Sequence, residues 1–214
     1  MDPHPEHPGH PGAQAPPPDD EGVRLMLAFQ AGDEAAFAGL VEAYSGRVYA
    51  LLTRFLGPVS NREDLVQDVF LRVLKARERY RPTARFSTWL YRIVFNLATN
   101  ERARQAPRRH LSLDRGVGEG DDGATLGDRV EDHRGEAPDE ALERLDVVDA
   151  VRAAIDALPE RQRMALVLAK YDELPYTEIA EVLETSEKAI KSMVHRAREN
   201  LRAMLGPFLQ EEVA

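Results

Sequence analysis

Apolar residues recur every three or four positions along most of this chain, which is the spacing of a helix with one buried face. Between residues 33 and 56 they stand at positions 37, 40, 41, 44, 48, 51, 52, 55 and 56. Residues 23–30, 63–80 and 87–104 repeat the pattern, and none of them alternates as a half-buried strand does. The pattern predicts an all-α first domain over residues 22–105.

Residues that favour helix ends stand between these segments. Asp33 is placed to cap one helix, and Gly57-Pro58 is placed to end it. Asn61 is placed to cap the next helix, and Pro82 breaks it. Four separate helices are therefore expected in the first domain.

The helix predicted over residues 63–80 has an unusual outer side. Its predicted buried face consists of Leu65, Val66, Val69, Phe70, Val73 and Leu74. The other side is acidic over residues 63–68 and basic over residues 75–79. The helix dipole favours this order, and two different partners would favour it as well.

Residues 139–207 predict a second helical domain. Apolar residues at 142, 145, 148, 151 and 155 indicate one helix, and Pro159 stands where the next helix would start. Residues 176–205 then predict a short helix, a tight polar turn and a longer helix capped by Ser186. This order is that of a helix-turn-helix.

The longer helix has a polar and basic outer face. Its members are Lys188, Lys191, Ser192, His195, Arg196 and Arg198. Such a face can enter the major groove, where phosphate contacts hold the helix and base-edge contacts select sequence. The alternative for an isolated helix is a basic face that is simply solvated.

Two further stretches lack the apolar residues that a core needs. Residues 1–21 are rich in Pro, His and Gly and predict a disordered tail. Residues 106–138 are rich in Pro, Gly and acids and predict a flexible acidic linker. His4, His7 and His10 could bind a metal, but ordering a floppy chain is costly. No metal site and no cofactor is predicted.

Composition narrows the class of protein. The chain has 214 residues, 43% of them hydrophobic, which suits one or two small globular domains. The absence of cysteine excludes disulfides and thiolate metal sites. No apolar run approaches the ~20 residues of a membrane span, and no signal peptide is recognisable. A cytoplasmic protein with no membrane contact of its own is expected.

Charge is unevenly distributed along the chain. The net charge is −9, yet residues 75–109 carry ten basic and two acidic residues, and residues 188–202 carry five basic and one acidic. Residues 111–150 between them carry four basic and thirteen acidic residues. Two basic segments of this kind hint at binding to a polyanion.

Basic and aromatic residues interleave over residues 77–104. Basic side chains hold a phosphate backbone and aromatic rings accept unstacked bases, so this pattern suits opened DNA. Phe86 and Trp89 could equally belong to the core. Tyr91 and Phe95 lie off the apolar stripe of their helix and are predicted to be exposed.

Three motifs stand in a recognisable order and separation. They are DLVQDVFLRV (64–73), FSTWLYRIVFN (86–96) and LPERQRMALVL…YTEIAEVL…SEKAIKSMVHRAR (158–198). With them the chain resembles bacterial sigma factors of the sigma-70 family, specifically the short extracytoplasmic-function (ECF) type. The resemblance covers roughly residues 23–105 and 139–205. It implies a sigma region 2 domain that binds RNA polymerase core and opens the minus-ten element, and a sigma region 4 domain that reads the minus-thirty-five element.

The resemblance also implies three sets of site residues. Docking on the clamp helices of the largest polymerase subunit is implied for Asp64, Gln67, Asp68 and Arg72. Minus-ten binding is implied for Tyr80, Arg81, Arg85, Phe86, Thr88, Arg92, Asn96, Asn100 and Arg102. Minus-thirty-five binding is implied for Thr177, Lys188, Lys191, Ser192, His195, Arg196 and Arg198.

Further partners follow from the resemblance alone. The polymerase flap and promoter DNA are expected partners, and an anti-sigma factor is expected to cover both DNA-reading faces until a stress or envelope signal arrives. The loop over residues 80–85 is expected to help capture a flipped base, which costs a few kcal/mol to extrude. Met193 stands where many relatives carry Arg, so a promoter sequence is not implied.

Other classes of protein fit the sequence less well. A two-domain regulator with a C-terminal helix-turn-helix would usually dimerise on an inverted repeat, and it gives no reason for the first domain's charge pattern. An enzyme would need a nucleophile motif, a Gly-rich loop after a strand or a cluster with site spacing. A helical scaffold or adaptor is the third alternative.

Overall fold

Helices make up all the regular structure of the residues that the computed structural model describes, which are 19–57, 59–113 and 138–211. Side chains are described over residues 19–57, 59–105 and 147–206. The helices in these ranges are α1 (Glu21–Gln30), α2 (Glu34–Leu56), α3 (Arg62–Lys75), a short 3-10 helix (Arg77–Arg79), α4 (Phe86–Leu113), α5 (Pro138–Ala157), α6 (Glu160–Tyr171), α7 (Tyr176–Val182) and α8 (Glu187–Glu211). The prediction of an all-α chain with two helical domains is confirmed.

Helices α1 to α4 form the first domain around a core of large apolar side chains. Its fully buried members include Met26, Phe29, Leu40, Leu52, Phe55, Val73, Leu90 and Val94. Burying one such side chain contributes ~1.5–3 kcal/mol. This core fixes the outward faces of α3 and α4 in space.

Two acidic residues cap helices of this domain. Asp33 accepts a hydrogen bond from the backbone of Ala35 at 3.0 Å, as predicted. Asp20 accepts from Val23 N at 2.9 Å and also from Phe86 N, at the start of α4. Because Asp20 caps α1, the helix begins at Glu21, just inside the stretch predicted as a disordered tail.

Three expectations for the helix ends were wrong. Helix α3 stops at Lys75 instead of continuing to residue 80, and the short 3-10 helix follows it. Asn61 makes no side-chain cap for α3; its amide instead donates to Glu101 Oε1 at 3.3 Å. Helix α4 continues to Leu113, into the stretch predicted as a linker. Extending an existing helix by a residue is far easier than starting one, so local composition placed this end too early. The tail to residue 18, with its three histidines, and residues 114–137 lie outside the described residues.

Helices α5 to α8 form the second domain, and α7 and α8 make the predicted helix-turn-helix. Ser186 accepts a hydrogen bond from Ala189 N at 3.2 Å and caps α8, as predicted. Glu184 lies in the turn between α7 and α8 and has a positive φ of 48°. The residues buried between these helices are Ile179, Ala180, Leu183, Ile190 and Val194.

The two domains are in contact, although the sequence predicted domains separated by a loose tether. Helix α4 packs on α7, and α2 packs on α6. Arg163 of α6 has no exposed surface and donates to the carbonyl oxygen of Phe55, on α2, at 3.0 Å. Nothing in the local pattern around Arg163 distinguishes it from a surface arginine.

Candidate core-binding and DNA-binding surfaces

The outer face of α3 brings the four predicted core-binding residues together. Asp64, Gln67, Asp68 and Arg72 are all exposed, and their spacing places them on adjacent turns. They stand opposite the buried positions Leu65, Val69, Phe70 and Val73, whose packing sets the orientation of the helix.

Two exposed leucines adjoin this polar face. Leu71 is 48% exposed and Leu74 is 40% exposed, although Leu74 was predicted to be buried. Helix α3 ends at Lys75, so its last turn presents Leu74 to solvent. Exposed apolar side chains beside acidic ones are the chemistry of a protein-docking surface. Leu71 was missed because it lies outside the apolar stripe.

The loop between α3 and α4 is held from the first helix. Gln30 Nε2 donates to the carbonyl oxygens of Arg77 at 2.6 Å and Tyr80 at 3.0 Å. Arg77 also pairs with Glu34 at 2.8 Å. Sequence reasoning missed Gln30, because its partners lie 47 and 50 positions away. The loop is therefore ordered where base capture was expected.

Several predicted minus-ten residues lie in the interior. Tyr80 is 3% exposed, and Phe86 and Thr88 are fully buried. The Tyr80 ring lies 4.9 Å from Trp89 and 6.2 Å from Phe86, between ring centroids. Burial raises the pKa of the Tyr80 hydroxyl above its ordinary value. In this conformation the aromatic rings support the loop, and their contact with DNA stays a prediction.

The predicted exposure of Tyr91 and Phe95 was wrong. Both are buried. The Phe95 ring meets Phe55 edge-on, with centroids 6.0 Å apart, and the Tyr91 hydroxyl donates to Asp172 Oδ1 at 3.1 Å. Burial raises the pKa of both Tyr91 and Asp172. These positions lie off the stripe facing their own domain, but α2 and the second domain cover them.

The remaining minus-ten residues are surface groups, and some are already paired. Arg81, Arg85, Asn96 and Asn100 are exposed, whereas Arg92 and Arg102 are partly buried. Arg85 pairs with Glu178 at 3.2 Å. Arg92 and Arg102 also contact acidic segments of the second domain. Of these four arginines, two lie on α4 and two in the loop before it, and acids of the second domain pair with Arg85, Arg92 and Arg102.

The predicted minus-thirty-five residues form an exposed basic face on α7 and α8. All of them are exposed: Thr177, Lys188, Lys191, Ser192, His195, Arg196 and Arg198. Lys191 pairs with Glu187 at 2.7 Å, and this hydrogen bond raises the pKa of the ammonium group. The geometry suits a helix that enters a major groove.

Two family models match the two domains in the same order. Sigma-70 region 2 matches residues 40–108, and Sigma-70, region 4 matches residues 149–201. The ECF RNA polymerase sigma factor SigW of Bacillus subtilis is 33% identical over 174 residues, which are 81% of this chain and 91% of that protein. The chain belongs to the ECF sigma factors. Members of this family are transcription initiation factors.

Other ECF and related sigma factors give the same result. The RNA polymerase sigma-H factor of Pseudomonas aeruginosa is 32% identical, over 90% of this chain and 97% of that protein. The ECF RNA polymerase sigma-E factor of Escherichia coli is 32% identical, over 87% of this chain and 95% of that protein.

Solved structures share the fold. CnrH, in complex with the cytosolic domain of CnrY, superposes with a TM-score of 0.61 at 24% identity, over 88% of this chain and 99% of that one. The sigma factor RpoE of Bartonella quintana, in complex with the anti-sigma factor NepR, gives a TM-score of 0.57 at 18% identity, over 79% of this chain and 96% of that one. None of the described helices is long and apolar enough to cross a membrane.

Proposed function

We propose that this ECF sigma factor docks on RNA polymerase core through the outer face of α3 and directs initiation at promoters with the basic faces of α4 and α8. One observation carries the proposal: a single chain presents an acidic and partly apolar face on α3 and basic faces on α4 and α8. The proposed activity is a binding function with no catalytic residue, and it places the chain in the cytoplasm with the polymerase.

The α3 face supports protein docking better than DNA docking. Asp64 and Asp68 would repel phosphates, and Leu71 and Leu74 offer apolar area that a partner can cover. The clamp helices of the largest polymerase subunit are the proposed partner. The flap is the proposed partner of the second domain.

Each of the two basic faces is proposed to bind a different promoter element. On α4, the exposed Asn96 and Asn100, with Arg81 and Arg85 from the loop before it, can hold the opened minus-ten strand by phosphate and base contacts. On α8, Lys191, Ser192, His195 and Arg196 stand where they can read a major groove. The structural neighbour RpoE of Bartonella quintana was solved in complex with the anti-sigma factor NepR, which motivates one more partner. An anti-sigma factor is proposed to cover these faces and so prevent initiation.

Transcription reconstituted with core tests the proposal. Core with the chain should initiate at defined start sites, and Asp68→Arg should abolish both core pull-down and initiation. Glu42→Arg is the matched control, because Glu42 is also an exposed helical acid, on α2. Unchanged core affinity of Asp68→Arg would contradict the docking assignment.

The α8 assignment has its own test. Arg196→Ala should weaken binding of the upstream element by ~1–3 kcal/mol in holoenzyme gel shifts. Arg202→Ala, at an exposed position further along α8, is the control. An equal loss on all sequences would make Arg196 a phosphate contact. A chain that binds an inverted repeat alone, as a dimer, would instead be an ordinary regulator.

A further inference from the structure

Acidic groups of the second domain lie against the proposed minus-ten surface. Glu178 of α7 pairs with Arg85 at 3.2 Å and accepts a hydrogen bond from the Thr88 hydroxyl at 3.4 Å. Arg92 donates to the carbonyl oxygen of Glu181 at 2.9 Å and lies 3.7 Å from the Glu184 carboxylate. The acidic side of α7, defined here as Glu178 and Glu181 together with Glu184 in the turn that follows, thus engages two groups of α4, the Thr88 hydroxyl and the Arg92 guanidinium. It also engages the guanidinium of Arg85, the residue immediately before α4.

A second patch continues the same arrangement along α4. Arg102 pairs with Asp156 at 3.1 Å and with Glu160 at 3.7 Å. The buried Tyr91 hydroxyl, also on α4, donates to Asp172, which follows α6. Acids from α5, α6, α7 and the turns after α6 and α7 therefore contact polar groups of α4 and of Arg85 just before it.

Carboxylates in these positions engage the groups that a DNA backbone would need. Arginine recognises carboxylates and phosphates with the same donor geometry, so one guanidinium cannot fully serve both. Thr88 and Tyr91 are buried, and each donates its hydroxyl to a carboxylate of the second domain. An opened strand on the proposed minus-ten surface would therefore have to displace these contacts.

We propose that the contact between α4 and the acidic side of α7 is autoinhibitory: it holds the free chain closed, and the minus-ten surface becomes available only when the domains separate. The proposal rests on the proposed function for the identity of that surface. It explains how a chain with two basic faces can avoid binding DNA before it meets the polymerase. The ion pairs at Arg85 and Arg92 are partly exposed, so each pair is weak by itself, and the contact acts through several such pairs together.

Closure can be measured directly because the chain has no cysteine. The Arg54 guanidinium of α2 lies over the Tyr171 ring of α6, 4.6 Å from its centroid, and neither residue belongs to α4 or α7. The full-length Arg54→Cys/Tyr171→Cys chain should therefore cross-link efficiently with a short, reducible bismaleimide reagent. Adding Glu178→Lys and Glu184→Lys should lower the yield several-fold, because each lysine would face an arginine.

The matched control carries Glu42→Lys and Glu199→Lys in the same cysteine background. Both acids are exposed helical residues outside the contact, and the change in net charge is the same. The control should cross-link as the parent does. Equal yields in the Glu178/Glu184 variant and the control would overturn the proposal that this contact holds the chain closed.

Binding of a fluorescent single-stranded oligonucleotide measures the inhibition. If the open form is about a tenth of the population, opening should tighten binding by the free chain about tenfold. The Glu178→Lys/Glu184→Lys chain, without added cysteines, should show this gain over the Glu42→Lys/Glu199→Lys control. Equal affinities would overturn autoinhibition even where cross-linking shows closure.

The cross-linked Arg54→Cys/Tyr171→Cys chain, called the locked chain below, tests autoinhibition separately from the proposed sigma-factor function. Cross-linked chain mixed with core should fail to initiate, and reduction of the cross-link should restore initiation. Initiation by the locked chain would overturn autoinhibition. A chain that never initiates, locked or reduced, would contradict the sigma-factor mechanism while leaving the cross-linking and oligonucleotide results to decide closure.

Discussion

Replacement of Arg163 by methionine should strongly destabilise the chain. The guanidinium is fully buried, donates to the carbonyl oxygens of Phe55 at 3.0 Å and Leu158 at 3.2 Å, and pairs with Asp156 at 2.9 Å. Methionine fills a similar space but donates no hydrogen bond. The substitution therefore removes polar contacts with little change in apolar packing.

The expected loss in the free energy of unfolding follows from the polar groups that would lose Arg163 as their hydrogen-bond donor. The carbonyl oxygens of Phe55 and Leu158 each lose a charged donor, and an unsatisfied buried group costs ~1–3 kcal/mol. The Asp156 carbonyl also accepts from Arg163, but it keeps a second donor, Arg102. Asp156 keeps its pair with Arg102 at 3.1 Å, so its charge is still balanced. The expected loss is thus ~3–4 kcal/mol, within the range of ~3–5 kcal/mol for breaking a buried ion pair.

Urea denaturation measures this loss with two probes. Circular dichroism follows all helices, while Trp89, the single tryptophan, lies in the first domain. At an m-value of ~2 kcal/mol/M, the midpoint should fall by ~1.5–2 M. Because Phe55 belongs to α2, the Trp89 transition should move as well, although Arg163 belongs to the second domain.

The control is Arg152→Met, which removes an exposed arginine of α5 that pairs with Asp149 three positions away. Such a pair contributes at most ~1 kcal/mol. If Arg163→Met cost no more than this control, the guanidinium would not hold the domains together. A shift seen by circular dichroism alone would confine its effect to the second domain.

Three further predictions concern single positions. Gly22→Ala should lower the free energy of unfolding by ~1–3 kcal/mol, because a Cβ there would lie 2.7 Å from Phe86 Cβ; chemical denaturation checks this, and an unchanged midpoint would refute the close approach. Glu173→Gly should raise the melting temperature by ~2–4 °C, because its φ of 51° costs a non-glycine residue ~1 kcal/mol; a lower melting temperature would show that the side chain matters more than the backbone. Burial raises the pKa of Asp172, so its contribution to stability is complete below its unfolded pKa of about 3.9 and is lost as pH rises through the higher folded pKa. Asp172→Asn, which can still accept from the Tyr91 hydroxyl, should therefore gain stability relative to the parent as pH rises from about 4 towards neutrality, and a pH-independent difference in unfolding free energy would refute this.

The helices could be predicted from the sequence because their causes are local. Asp33 and Ser186 cap helices whose first residues follow directly, and each accepts its bond within three positions. The buried side of α8 follows from its periodicity, which leaves its basic residues outside. The outer face of α3 was predictable for the same reason, apart from the exposed Leu71 and Leu74.

The state of the α4 surface could not be predicted in this way. Tyr91 and Phe95 were assigned to solvent because they lie off the stripe that faces their own domain, yet both are buried. The partner of Tyr91 is 81 positions away, and that of Thr88 is 90 positions away. The residues that neighbour Tyr91 or Thr88 in the sequence do not indicate a partner so far away along the chain.

The sequence by itself determined the order and ends of most helices, the helix-turn-helix and the family of the chain, because these depend on residues a few positions apart. Only the tertiary structure decided which arginines of α4 are exposed and which meet an acid, and it placed Arg163 in the interior. The physical reason is that burial and pairing depend on which surfaces meet. Two domains joined through a long connection meet through contacts that no local pattern specifies.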